Sequence, residues 1–315
     1  MRPAWPLATD QTRCYDAQGA PVPCRGSGQD GAGESAPGDA TRRFRRRGAH
    51  VEDAATGLTW TRDANPFEFP YSWPEAFALV DDMNRAAAHG LTGWRLPTRR
   101  ELFSLVSHQY VNPALPEGHP FEAVFPGYYW TATPCARLPN QAWYLHLGGA
   151  RVYRGMQSGA YLIWPVSGPR RDPPVLKNRM ETTGSVVYDH LSGLTWTRKA
   201  PRESSLLTWE AALEVASALN RQSFGGRSDW RLPNIRELDS LVDLAGHSPA
   251  LPPGFPWEAI PEGCWSSTTS VYEPRYAWVL YLRDGAVGVG FKPEASFHAW
   301  SVAGPQTPTL ANQRG

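Results

Sequence analysis

Four cysteines and eight histidines are the side chains from which a reactive or metal-binding centre would be built. Cys14 and Cys24 bracket the turn-forming stretch Tyr-Asp-Ala-Gln-Gly-Ala-Pro-Val-Pro, and the pattern predicts a disulfide that closes a small loop, which implies an oxidising compartment. Cys135 and Cys264 fall at non-equivalent positions of an internal repeat, so they read as two buried or free thiols rather than a shared framework. None of the histidines, at 50, 89, 108, 119, 146, 190, 247 and 298, has a His or Cys beside it at zinc-like spacing. No Gly-rich phosphate loop follows a strand, and no nucleophile elbow is present. The expectation is a protein with no catalytic residue, no metal and no cofactor.

What remains is binding chemistry, and it lies where the two halves of the chain differ. Gly93 to Leu105 (Gly-Trp-Arg-Leu-Pro-Thr-Arg-Arg-Glu-Leu-Phe-Ser-Leu) returns as Asp229 to Leu241, with Trp94 and Trp230 offset by 136 positions. The same offset relates Gly57-Leu58-Thr59-Trp60-Thr61-Arg62 to Gly193-Leu194-Thr195-Trp196-Thr197-Arg198, and Trp73 to Trp209. After a one-residue slip, Trp130 matches Trp265 and Trp143 matches Trp278 at an offset of 135. The period is too long for a solenoid, so this is a tandem duplication of one domain. Against that background, the loop carrying Arg137 and Asn140 corresponds to the one carrying Tyr272 and Arg275. Arg151, Tyr153 and Arg154 correspond to Val287, Val289 and Gly290. Arg forks carboxylate or sulfate and Tyr stacks on a sugar face, so these seven side chains are the candidate ligand contacts.

The elements that position them follow from periodicity. Each repeat opens with a strand ending in Gly-Leu-Thr-Trp-Thr-Arg. A helix follows from Ser72-Trp73-Pro74-Glu75, a capping box with apolar residues at helical spacing through Ala87, and from Thr208 in the second copy. A second helix starts inside the repeated motif, where Thr98 with Glu101 and Asn234 with Glu237 form capping boxes after a Pro. Strand-like segments come next: 128–133, 142–147, 150–154 and 161–166, then 264–268, 277–282, 286–291 and 298–303. Gly148-Gly149 and Asp284-Gly285 serve as hairpin turns. The order predicts an α+β fold with two helices and small antiparallel sheets in each domain. The repeated tryptophans read as core. The repeated charges Arg62, Arg95, Arg100, Glu101 and Glu122, with Arg198, Arg231, Arg236, Glu237 and Glu258, read as caps and ion pairs. The domains should run over about 49–169 and 186–305, with a linker at 170–185 and a tail at 306–315.

Bulk properties exclude several classes. A net charge of +1 argues against a whole-surface role with nucleic acid or membrane, and no apolar run approaches a membrane span. No signal peptide is visible in Met1 to Asp10. Fourteen tryptophans with 29 glycines and 30 prolines describe a loop-rich chain with short strands. Residues 1–48 read as an extended polar leader, ending in the arginine run Arg42-Arg43-Phe44-Arg45-Arg46-Arg47. Either the run binds polyanions, or Phe44 tucks inward and the arginines protect a strand edge from pairing.

The series Thr-Gly-Leu-Thr-Trp, Trp-x-x-Ala, Asp-Trp-Arg-Leu-Pro-x-x-x-Glu-Leu-x-Ser-Leu, Trp-Ser-Ser-Thr and Ala-Trp before a Gly turn resembles the bacterial family named after the C-terminal domain of the Legionella collagen-like adhesin. Gln11 to Asp16, Pro23-Cys24 and Gly28 to Asp30 resemble the segment that often precedes it. The resemblance implies two tandem C-type lectin-like domains in an extracellular, surface-exposed or periplasmic protein, and the namesake domain binds sulfated polysaccharides. Neither repeat carries the calcium-dependent sugar signature, since Glu273-Pro274-Arg275 places a cation where an amide ligand would stand. The formylglycine-generating enzymes share that fold and use a Cys pair, but Cys135 and Cys264 are unmatched. The resemblance therefore implies a non-enzymatic binding or adhesion protein whose partner is a polysaccharide or surface protein and not nucleic acid. The alternatives are a structural subunit of an extracellular assembly, or a scaffold with diversified binding loops.

Overall fold

The computed structural model describes residues 7–33, 40–170, 179–199, 205–257 and 260–304. Glu258, residues 171–178 of the expected linker and the tail lie outside the described residues. The chain divides into two compact units, 38–173 and a second that joins 174–315 to the leader 1–37.

In the first unit a short helix α1 (Ala40–Arg43) leads into β1 (Phe44–Arg47), β2 (His50–Asp53) and β3 (Leu58–Thr61). Helix α2 (Trp73–Arg85), strand β4 (Trp94–Arg95) and helix α3 (Arg99–Ser104) follow. Then come β5 (Tyr128–Pro134), β6 (Gln141–His146), β7 (Arg151–Met156) and β8 (Val166–Ser167). Strands pair in the order β1-β2-β3-β8-β4, and β5, β6 and β7 pair antiparallel in succession.

The second unit repeats the plan with β9 (Met180–Thr183), β10 (Val186–Asp189), β11 (Leu194–Thr197), α4 (Trp209–Arg221), α5 (Ile235–Ser240), β12 (Gly263–Thr269), β13 (Tyr276–Tyr281), β14 (Ala286–Phe291) and β15 (Val302–Ala303). Each unit is thus α+β, with few helices and small antiparallel sheets. The segments 161–166 and 298–303, expected as strands, reduce to a two-residue strand and isolated bridges in each unit. Pro165 in the first copy lacks the N–H a continuous ladder needs.

The repeated residues form the same contacts twice. Ala76, Leu96, Trp130, Ala142 and Ile163 lie in one core, and Ala212, Leu232, Trp265, Ala277 and Ala299 in the other. The Trp130 indole donates to the Tyr71 carbonyl at 2.9 Å, as Trp265 does to Leu207 at 2.8 Å. The Asn84 amide both accepts from the Trp94 N–H and donates to its carbonyl at 2.8 Å, and Asn220 repeats this with Trp230 at 2.6 and 2.7 Å. The motif therefore recurs because its first residue is clamped to the preceding helix. Trp73 is only half-buried whereas Trp209 is fully buried, the one repeated tryptophan whose burial clearly differs.

Both short helices open on the expected capping boxes. Glu101 accepts from the Thr98 N–H at 2.7 Å and Glu237 from the Asn234 N–H at 2.9 Å. The same carboxylates take both prongs of a guanidinium: Arg95 reaches Glu101 at 2.7 and 2.7 Å, and Arg231 reaches Glu237 at 2.7 and 2.6 Å. Each Glu side chain is fully buried. A second repeated fork joins Arg43 to Asp53 and Arg179 to Asp189, with the guanidinium also donating to the carbonyl of Ser104 or Ser240 at 2.8 Å.

The leader is not an extended arm over residues 7–33. Cys14 and Cys24 form the expected disulfide. Leu7, Cys14, Tyr15 and Ala17 are buried. Leader side chains bond into the second repeat: the Gln11 amide donates to the Thr269 carbonyl and accepts from its N–H, both at 2.8 Å, as a paired strand would. A hydrophobic count missed this because the docking is largely polar. Replacing Cys14 and Cys24 together by Ser should expose residues 7–33 to proteolysis at rates at least tenfold above wild type. The loop-closure model gives the bridge roughly 2–4 kcal/mol. Peptide mapping after timed digestion measures this.

The arginine run divides by role. Phe44 is buried edge-to-face on Phe121, with ring centroids 5.1 Å apart. Arg43 is committed to Asp53, while Arg46 and Arg47 pair loosely with Glu122 and Glu52 at 3.3 Å. Strand β1 lies at the end of its sheet, so the arginines flank an exposed edge, where like charge discourages pairing with another chain.

Candidate functional site

Strands β5, β6 and β7 fix which side chains share a face. Tyr128 lies opposite His146, Trp130 opposite Tyr144, His146 opposite Arg151, and Tyr144 opposite Tyr153. Because side chains alternate along a strand, these six project from one side of the strands, and Tyr161 packs over them. The ring centroids form a continuous set: Tyr128 to His146 at 4.6 Å, Tyr128 to Tyr144 at 5.2 Å, Tyr144 to Tyr161 at 5.0 Å and Trp130 to Tyr161 at 4.3 Å. Gly155 on the same side makes room for Tyr161, since a Cβ there would meet its hydroxyl at 2.5 Å. Tyr128 is 46% and Tyr153 40% exposed, whereas Trp130 is buried beneath.

The electrostatics favour neutral donors beside one cation. Burial, reinforced by Tyr161 and Tyr128, pushes the Tyr144 phenol up to about 12 against the opposing pull of Arg151. The Tyr161 phenol is also raised, by burial and then by Tyr128. Burial first, and then Arg151, holds His146 below the usual imidazole range, so at neutral pH it is uncharged. Arg151 is exposed, and no ion pair or hydrogen bond is found for its guanidinium among the described residues. The arrangement can stack flat rings, donate hydrogen bonds from phenols and neutralise one negative charge.

The seven expected contacts divide between the two units, and those of the first unit fall at different places on it. Arg151 and Tyr153 belong to the tyrosine face. Arg154 points from the alternate position of β7, although its guanidinium lies 4.6 Å over the Tyr153 ring. Arg137 and Asn140 sit in the turn between β5 and β6, at the far end of the β6–β7 ladder from Arg151. Tyr272 and Arg275 belong to the other unit; Tyr272 is 66% exposed, and Arg275 is engaged by Glu273 at 3.0 and 3.1 Å.

The expected correspondence of the hairpins also shifts by one. Gln141 pairs with Met156 and Tyr276 with Phe291, so the offset on this strand is 135. Arg151, Tyr153 and Arg154 therefore match Ala286, Gly288 and Val289, not Val287, Val289 and Gly290. At the corrected register, the second unit has Gly263, Val279, Ala286, Gly288 and Phe297 where the first has Tyr128, Tyr144, Arg151, Tyr153 and Tyr161, while Trp265 and Tyr281 stand for Trp130 and His146. Tyr128, Tyr144, His146 and Tyr161 escaped sequence reasoning because they were compared as strand formers. The available signal was their failure to repeat.

Cys135 and Cys264 carry free thiols. Both are buried, and burial raises the Cys264 thiol above its usual value. Among the described residues no group of three His, Cys, Asp or Glu side chains gathers to hold a metal ion, and no helix is long and apolar enough to cross a membrane.

Two copies of a small α+β domain, each built around a clamped Trp-Arg-Leu-Pro motif, define a tandem-domain protein. The profile of the Lcl C-terminal domain family matches residues 49–167 and 185–303, and the chain belongs to that family. No curated protein matches it significantly.

Proposed function

We propose that this is a non-enzymatic binding protein of the bacterial surface or envelope, and that the tyrosine face of its first domain contacts a glycan or other anionic polymer. The observation that supports this most is the pairing of the exposed Tyr128 and Tyr153 rings with the unengaged guanidinium of Arg151 in one repeat, where the other has Gly263, Gly288 and Ala286 and keeps only the inner rings Trp265, Tyr281 and Phe297. A residue needed only for the fold would be expected in both copies. A C-type lectin-like layout for each domain accords with two helices against small antiparallel sheets, and is part of the same proposal.

Retention on a sulfated-polysaccharide column across a salt gradient tests the ligand class and separates the two cationic features. Arg151→Ala should elute at lower salt than wild type, because a guanidinium that pairs with a sulfate displaces a counterion, and its removal lowers both the affinity and its salt dependence. Replacing Arg42, Arg45, Arg46 and Arg47 by Ser should leave elution nearly unchanged; Arg43 is left in place because it bonds Asp53. The reverse pattern would transfer the proposal to the arginine run.

A further inference from the structure

The leader is seated on the second domain through two buried ionisable groups that approach the interface from opposite sides. Asp30 lies in a short 3-10 turn of the leader, Asp30–Ala32, and its carboxylate accepts from the Thr9 hydroxyl at 2.6 Å and the Thr268 hydroxyl at 2.7 Å. Its electrostatic surroundings also include Glu237 and Arg231. Lys292, from the second domain, is fully buried and donates to the carbonyls of Tyr15 and Asp16 at 3.2 Å, with its ammonium 4.0 Å over the Trp209 ring. The charges that act on it are Asp16 and Glu210.

The contacts Asn234 to Leu7 and Gln11 to Thr269 use neutral amides and require no titratable group, and within the leader Gln29 bonds the Tyr15 carbonyl in the same way. The geometry points to residues 7–33 being a proton-sensitive latch on the second domain, held most firmly when the Asp30 carboxyl is protonated and loosened when it ionises between Thr9 and Thr268. Ionisation places an unneutralised charge in a site that supplies two hydroxyl donors, and water can solvate that charge only when the leader lifts. Burial, the largest influence, pushes the Asp30 carboxyl up to about 6, against 3.8 in an open chain. The seated state therefore binds more protons than the lifted state between those values. Seating is strongest below pH about 4, weakens as pH rises to about 6, and is level just above.

Lys292 adds a second limb of opposite slope. Burial lowers its ammonium from 10.5 to about 7, so seating regains strength from pH 7 towards 10 as the lifted state comes to bind more protons than the seated one. The latch is weakest around pH 6 to 7.

Hydrogen exchange of the full chain, corrected for intrinsic chemistry and read on peptides covering residues 7–33 at pH 4 to 9, tests this. The opening constant should rise about 100-fold between pH 4 and 7, two pKa units at tenfold each. In Asp30→Asn that rise should vanish, and in Lys292→Met the recovery above pH 7 should vanish. Peptides from α4 and β13 report whether the domain stays folded. If Asp30→Asn fails to seat at any pH, Thr268→Val supplies the second arm: it removes a donor that favours the ionised carboxylate and should move the midpoint upward. A flat wild-type profile, an acid limb that survives in Asp30→Asn, or an unmoved midpoint in Thr268→Val would each overturn the latch.

Discussion

Glu237→Ala should cost the second domain about 3–5 kcal/mol, and Glu101→Ala the first domain a similar amount, because each leaves a largely buried guanidinium without its counter-charge. The same carboxylate also accepts from the helix-capping backbone N–H, at 2.9 Å for Glu237 and 2.7 Å for Glu101, so one truncation removes a bidentate ion pair and half of a capping box. Replacement by Gln keeps the volume and the ability to accept from the cap N–H while removing the charge, and should recover part of the loss. Denaturant titration of the full chain, followed by tryptophan fluorescence, should show an early transition for the affected domain. Equal midpoints for Glu237→Ala and wild type would mean that the fork contributes only where it is solvated.

Trp265→Ala should be at least as damaging, at roughly 3–5 kcal/mol for a large core aromatic. The ring is fully buried, packs edge-to-face on Phe297 at 4.9 Å and donates to the Leu207 carbonyl at 2.8 Å. Truncation thus leaves a cavity and an unpaired buried carbonyl together. Trp130→Ala in the first domain should behave alike, with one added consequence: Trp130 underlies the tyrosine face, 4.3 Å from Tyr161, so ligand contact should weaken along with stability. Comparing the two variants by the same titration separates the shared structural cost from the effect on the first domain's face. Trp265→Phe should be milder than Trp265→Ala, since it retains an aromatic ring but loses the indole donor.

Much of the fold was legible because each of its devices is local. A cap residue and a Glu three positions on announce a helix start whether or not the rest of the domain is known, and the boxes at Thr98 and Asn234 stand where the sequence places them. The duplication made the core readable as well, since tryptophans that return at a fixed offset identify positions under packing constraint. What stayed hidden depended on register or on polar packing. One slipped residue turned Gly288, which faces as Tyr153 does, into Val289 on the other side of the strand, and so concealed that the exposed part of this face, Tyr128, Arg151 and Tyr153, differs between the copies. The leader read as an arm because it offers few apolar residues. It is held instead by side-chain amides, two threonine hydroxyls, a buried carboxyl and a lysine more than 270 positions away in sequence, none of which has a local signature.

Arg62 illustrates how repeated charge can mislead a search for function. It recurs as Arg198, and in the first domain it pairs with Glu122 at 3.0 Å and donates to the Gly48 carbonyl at 2.7 Å, so there it serves the fold. Arg151 recurs as Ala286. Under duplication, the side chain that was not kept in both copies is the better guide to contact with something outside the protein.

The most direct test of that reading is an array of neutral and acidic glycans probed with the full chain and with the double variant Arg151→Ala/Tyr153→Ala, whose positions are exposed. The intact protein should retain a subset of acidic glycans, and the double variant should lose at least tenfold in apparent affinity for them while keeping its unfolding transition. Retention of the same glycans at equal strength by both proteins, or of none by the intact chain, would contradict the assignment of the first domain's tyrosine face as the ligand surface.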